Sequence, residues 1–167
     1  ESIGTFFNSG RFKNKHTGTV GKTGCLSFNG NKIITAGGGG MILTDNLKIA
    51  KKAKYLTTQA KDDPINYVHN DIGYNFRLTN IQAALGIAQL ESLPTYIKKK
   101  KTIHEIYKSK IDKIKGLKIS RTSHSSKCNH WLNIVEISKK LSKKNFSAII
   151  QCFSNNDVEV RPLWYPN

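Results

Sequence analysis

One lysine in this chain stands in a setting that chemistry can use. Ser27-Phe28-Asn29-Gly30-Asn31-Lys32 runs into Ile33-Ile34-Thr35-Ala36 and then into four glycines, Gly37 to Gly40. The pattern predicts a short polar loop between two strand-like runs, with a hydroxyl five residues before the lysine and pliable backbone after it. A lysine amine in such a loop can carry an aldehyde cofactor covalently while the hydroxyl holds the cofactor's phosphate. Pyridoxal 5'-phosphate (PLP) chemistry needs both groups. Most lysines are solvated and most glycine runs are turns, so this pattern alone leaves the bland reading open.

The surrounding elements must position that loop. Thr5-Phe6-Phe7 reads as a short strand or turn segment, residues 25–28 as a buried strand and residues 41–44 as the next one, entered through the glycines. Asp45 or Asn46 then caps a helix carrying Leu47, Ile49, Ala50, Ala53 and Leu56. Residues 57–78 read as a long polar loop with Pro64, His69 and Gly73, of a length that usually serves function. Thr79-x-x-Gln82 fits a capping box, and Ile81, Ala84, Leu85 and Ala88 recur at helical spacing behind it. Pro94 breaks or kinks that run, and a second helix extends over 95–115 to Gly116. Strands follow over 117–120 and 130–137, then a helix with Phe146, Ile149, Ile150 and Phe153 on one face, then a strand over 158–163. The order implies an α/β fold, with a larger-domain portion over 1–90 and a smaller α/β domain over 91–167.

Composition narrows the function classes. The net charge is +16, yet of 27 basic residues only Arg11, Arg77, Arg121 and Arg161 are arginines. Phosphate and base recognition favours the bidentate guanidinium, and the densest run, Lys98 to Lys101, sits in a helical stretch with Ile97, Ile103 and Ile106. A solvated helix face explains it better than a nucleic-acid partner, although the charge suits an anionic nucleotide. No apolar run is long enough to span a membrane, and the first 20 residues are polar and glycine-rich, unlike a secretory leader. Cys25, Cys128 and Cys152 are far apart and read as reduced, small core residues of a cytoplasmic protein. The five histidines form no cluster, so a metal site is not expected. The chain opens on Glu1 and stops at Asn167, and both ends read as cuts through a longer protein.

Five segments carry a resemblance that covers nearly the whole chain. They are His16-Thr17-Gly18-Thr19, Cys25 to Thr35, the stretch Asp71-Ile72-Gly73-Tyr74-Asn75-Phe76-Arg77-Leu78-Thr79-Asn80-Ile81-Gln82-Ala83-Ala84-Leu85-Gly86, the segment His130-Trp131-Leu132-Asn133, and Arg161-Pro162-Leu163-Trp164. Together they resemble the DegT/DnrJ-type sugar-nucleotide aminotransferases, closest to the bacillosamine and legionaminic acid subgroup. The resemblance implies a piece of the fold type I PLP-dependent transferase architecture: a large domain with a mostly parallel sheet, a small C-terminal domain and a homodimer with shared active sites.

The same resemblance assigns roles. Lys32 would hold PLP through its amine and then shuttle the proton between the substrate carbon and the cofactor. Ser27 would donate its hydroxyl to the cofactor phosphate, and Asn75 would reach a phosphate in the neighbouring subunit. Arg161 would meet a carboxylate or phosphate of the substrate, or else serve a structural pairing in the small domain. Trp131 and Trp164 read as packing residues. The family's usual second threonine before the glycines is Ala36 here, and an aspartate common near position 22 is Lys22. The aspartate that pairs with the pyridinium nitrogen would lie three residues before Glu1, so the fragment alone should be inactive.

The implied reaction is transfer of an amino group, from glutamate, to a 4-keto-6-deoxy nucleotide sugar for surface-polysaccharide or glycan synthesis. A dehydratase relative would carry histidine in place of Lys32. The alternative class is a catalytically inactive homologue acting as a partner or regulator, against which the Ser27/Lys32 pair speaks.

Overall fold

The computed structural model describes residues 1–164, with residues 142–145 described by their backbone alone. Chain order is β1 (Phe6–Phe7), a 3-10 turn (Thr17–Thr19), β2 (Gly24–Ser27), β3 (Gly40–Leu43), α1 (Leu47–Thr57), β4 (Lys61–Asp63) and β5 (Val68–His69). It continues with α2 (Asn80–Glu91), α3 (Leu93–Ile111), β6 (Leu117–Ile119), β7 (Ser126–Lys127), β8 (Val135–Ile137) and α4 (Lys139–Ser154). The architecture is α/β, as expected. The strands form four antiparallel pairs: β1 with β7, β2 with β3, β4 with β5, and β6 with β8. The β4–β5 pair is a hairpin whose connection over 64–67 is too short to return a strand parallel to its predecessor.

Two compact units divide the chain. The first takes Glu1–Lys100 and Thr122–Trp131, the second Lys101–Arg121 and the residues from Leu132 onward.

In the first unit the core is built by Phe28, Ile34 and Ala36, against which Ile3, Leu26, Ile33, Leu78, Leu93 and Tyr96 pack. The strand-like run over residues 33–36 forms no strand. Their apolar side chains are satisfied by the core instead, and the Ala36 N–H donates to the Phe28 carbonyl at 3.0 Å, folding the run back on its own loop. The expected polar loop over 57–78 contains the β4–β5 hairpin, in which Asp63 Oδ1 accepts from the Ile65 and Asn66 N–H groups at 2.8 and 3.1 Å. An Asx turn of this kind shapes the hairpin without any hydrophobic alternation in the sequence.

Helix signals were read well because their chemistry is local. Asn46 Oδ1 accepts from Lys48 N and Ile49 N at the start of α1. Thr79 and Gln82 form the reciprocal capping box of α2. Pro94 lies at the second position of α3, where its missing N–H costs nothing.

In the second unit Ile119 is the fully buried anchor, and the Asp112 carboxylate accepts from its N–H at 2.9 Å. The strand expected over 130–137 shrinks to β8, since β6 offers only Leu117, Lys118 and Ile119 as partners. Val158 to Leu163 forms no strand among the described residues; the Val158 N–H instead donates to Phe153 O at 3.0 Å, closing α4. The cysteines are not core residues: Cys25 and Cys152 are exposed and Cys128 is half-buried, all three as free thiols. Cys25 lies opposite Ile42 on one face of the β2–β3 pair, and Ile42 is itself exposed. Residues 165–167, the end of the expected small domain, lie outside the described residues.

Candidate active site

Lys32 sits at the tip of a loop whose base is closed by the β2–β3 pair, with Ser27 opposite Gly40. Phe28 N–H donates to Gly39 O at 3.0 Å, Thr35 Oγ1 donates to Phe28 O at 3.0 Å, and Lys32 N–H donates to Asn29 O at 3.0 Å. Gly39 adopts φ 80°, and a Cβ there would come within 2.4 Å of Leu78, so only glycine permits the return into β3. These bonds tie the loop across its base without extending the strands.

The lysine side chain is only 12 % exposed. Its Nζ donates to Glu1 Oε1 at 3.0 Å and lies 3.9 Å from the centre of the Trp131 ring. The Trp131 indole N–H donates to Asn31 O at 2.8 Å. Thus the amine meets a carboxylate and an aromatic face, while the indole pins the peptide just before it. Ser27, at the end of β2, accepts weakly from Asn29 N–H at 3.5 Å, leaving its own O–H to donate elsewhere.

Glu1 and Trp131 are held in turn by Asn129, which is 4 % exposed. Its Nδ2 donates to the carbonyls of Glu1 and Ile3 at 2.8 and 2.9 Å, and its Oδ1 accepts from Trp131 N–H at 3.1 Å. Its own N–H donates to Thr5 Oγ1 at 3.1 Å. None of these roles was evident from sequence: Trp131 read as a packing residue, and Glu1 and Asn129 carry no local motif.

Asn75 lies in a stretch zipped to the end of α1, with Tyr74 N–H on Leu56 O and Phe76 N–H on Thr57 O. Gly73 makes that approach possible, since a Cβ would fall 2.4 Å from Ala60 N. Arg77 Nε donates to Asn75 Oδ1 at 2.9 Å. A guanidinium cannot accept, so the amide must turn its oxygen to Arg77, and its NH2 faces away as a donor. In the second unit Arg161 is exposed and pairs with Glu159 through Nε, at 3.0 Å, and through its terminal nitrogen. Ser27 and Lys32 therefore share one loop, whereas Asn75 and Arg161 are positioned by other segments.

Residues 3–167 match the model of the DegT/DnrJ/EryC1/StrS aminotransferase family. The chain belongs to that family. Among its DegT/DnrJ relatives are EpsN of Bacillus subtilis (strain 168), 39% identical over 99% of this chain and 41% of EpsN, and the GDP-perosamine synthase of Vibrio cholerae, 34% identical over 99% of this chain and 43% of that protein. The crystal structure of the aminotransferase TlmJ from Streptoalloteichus hindustanus superposes with a TM-score of 0.80 at 19% identity, over 92% of this chain and 40% of TlmJ. The chain thus spans about two fifths of the length of the relatives it matches and carries part of the fold type I transferase architecture.

Proposed function

We propose that this chain is the segment of a PLP-dependent sugar-nucleotide aminotransferase that carries the cofactor lysine. The observation that bears the reading is Lys32: a nearly enclosed side chain, its Nζ turned to a carboxylate and an aromatic face. The group set fits PLP. The amine can bond an aldehyde, the Ser27 O–H can donate to a phosphate, and the Asn75 amide offers uncharged donors. When bound, PLP supplies the aldehyde that accepts an amino group and a conjugated ring that stabilises negative charge at the adjoining carbon.

Each residue then has a task. Lys32 Nζ would anchor the cofactor and, once displaced by the amino donor, would take the proton from the donor's α-carbon and deliver it to the cofactor carbon that had borne the aldehyde oxygen. Its enclosure keeps bulk water from that proton. Ser27 Oγ orients the phosphate end. Asn75 serves the phosphate of a neighbouring subunit, so the working unit is a homodimer with shared sites. Arg161, released from Glu159, engages an anionic group of the substrate. Glutamate is the amino donor, and a 4-keto-6-deoxy nucleotide sugar is the acceptor for polysaccharide or glycan synthesis in the cytoplasm. The family match and a relative named as the synthase of a GDP-linked sugar support this acceptor class.

The uncovered apolar surface fits the same reading. Ile65, Ile72, Phe76 and Ile81 are 83%, 78%, 71% and 84% exposed, far more apolar exposure than a self-sufficient domain tolerates. Among the described residues no helix is long and apolar enough to cross a membrane.

The test uses the longer protein containing this chain, loaded with PLP. Glutamate should convert the aldehyde form of the cofactor to its amine form in the absorbance spectrum, and a 4-keto nucleotide sugar should restore it. A spectrum unmoved by glutamate, alanine and aspartate would defeat the aminotransferase reading.

A further inference from the structure

The Lys32 amine and the Glu1 carboxylate come from segments 31 residues apart, yet one three-residue stretch far along the chain touches both. Asn129 holds the backbone carbonyls of Glu1 and Ile3, and Trp131 holds the carbonyl of Asn31 and covers the amine of Lys32. Between them His130 adopts φ 52°, a left-handed conformation that is unfavourable for a non-glycine residue. A chain with extended alternatives keeps such a conformation only where its surroundings demand it. Here the demand is visible: Asn129 Oδ1 accepts from Trp131 N–H, so the turn at His130 is closed on itself with both flanking side chains committed to the lysine site.

We propose that Trp131 is a positioning residue for the Lys32 amine, with Asn129 fixing Trp131 and the Glu1 segment in one register. The inference rests on the reading of Lys32 as the cofactor lysine. The indole N–H restrains the peptide between Asn31 and Lys32, which sets where the side chain leaves the loop. The ring face then limits the directions the amine can take, because an ammonium gains from lying over an aromatic face and loses that contact when it swings away. A residue so placed acts on how readily the amine meets an aldehyde, without entering the chemistry.

The consequence is testable at Lys32 itself. The longer protein is incubated with a limiting amount of PLP for a short, fixed time and reduced with borohydride, and the fraction of Lys32 carrying the reduced adduct is read by peptide mass spectrometry. Trp131→Ala should lower that fraction about tenfold, and Trp131→Phe, which keeps a ring but loses the N–H, should lower it about threefold. The thermal midpoint of Trp131→Phe should stay near that of the unsubstituted protein. Unchanged labelling at Lys32 in Trp131→Phe overturns the proposal, and this variant carries the test should the alanine variant fail to fold. A second readout needs no cofactor: in a Trp164→Phe background Trp131 is the only tryptophan of this chain, and Lys32→Met should shift its emission. A spectrum unaffected by Lys32→Met also overturns the proposal. An absence of adduct at Lys32 in the unsubstituted protein, with that emission shift present, would instead defeat the cofactor reading and leave the Trp131–Lys32 contact standing.

Discussion

Asn129 donates its side-chain amide to the backbone carbonyl of Glu1 at 2.8 Å, joining positions 128 residues apart in the sequence. The bond is one of four made by a single nearly buried side chain and its own N–H, to Glu1, Ile3, Thr5 and Trp131. Burial of an amide is favourable only when its donors and acceptors are met, and here the partners are backbone groups that would otherwise lack one.

Asn129→Ala should therefore destabilise the protein by roughly 2–3 kcal/mol, since two part-buried carbonyls lose their donor and the Trp131 N–H its acceptor. In a thermal melt that corresponds to a fall of about 5–10 °C. Asn129→Asp should lose stability too, because a carboxylate cannot donate to the Glu1 and Ile3 carbonyls. Full retention of the midpoint in both variants would show that the network carries no net stability.

His16 supplies a pH dependence. Burial lowers its pKa below the ordinary 6.5. Gly18 N lies 3.0 Å from Nδ1 and Gly4 N 3.0 Å from Nε2; a neutral imidazole can accept at one of these nitrogens, whereas an imidazolium could accept at neither. The folded state therefore prefers the neutral ring. Its contribution is intact above 6.5 and is lost as the pH falls from there through the lowered folded value. Melting midpoints should decline over that window, and His16→Asn should flatten the decline. A slope identical in the two proteins would remove His16 as its source.

Asn75 is proposed to serve a site in the other subunit. Lys32→Ala and Asn75→Ala variants of the longer protein, each weak alone, should regain activity when refolded together. In a mixed dimer one site carries both lesions and the other carries neither. Activity no greater than the sum of the separate variants, with mixed dimers demonstrated, would place Asn75 in its own subunit's site or in the turn alone.

The sequence revealed what depends on near neighbours. The Asn46 cap, the Thr79/Gln82 box and the β2 strand before the lysine all follow from residues within a turn or a pair of each other. The apolar run over 33–36 has strand-like composition without being a strand, because composition reports only that side chains are buried, and Ile34 and Ala36 are buried in the core of a folded-back loop. The β4–β5 hairpin escaped notice because Asp63 shapes it through polar turn bonds rather than through alternating hydrophobics. Cysteine burial was misjudged at Cys25 because its face of the β2–β3 pair, shared with Ile42, is exposed among the described residues. At the site, Ser27 and Lys32 were readable from their loop, whereas Glu1, Asn129 and Trp131 reach it by contacts spanning 31 to 128 residues, which no local pattern records.

The central claim is that Lys32 is the one lysine of this chain that carries the cofactor. Peptide mapping of the PLP-loaded, borohydride-reduced longer protein tests it most directly, because any of the chain's lysines could in principle form the adduct. The account predicts stoichiometric label on Lys32 with traces elsewhere. It also predicts that Lys32→Ala loses the lysine-bound cofactor absorbance together with amino-transfer activity, by about a thousandfold or more, since one group supplies both anchor and proton carrier. Label distributed over exposed lysines with Lys32 unmodified, or an intact cofactor spectrum in Lys32→Ala, would contradict it.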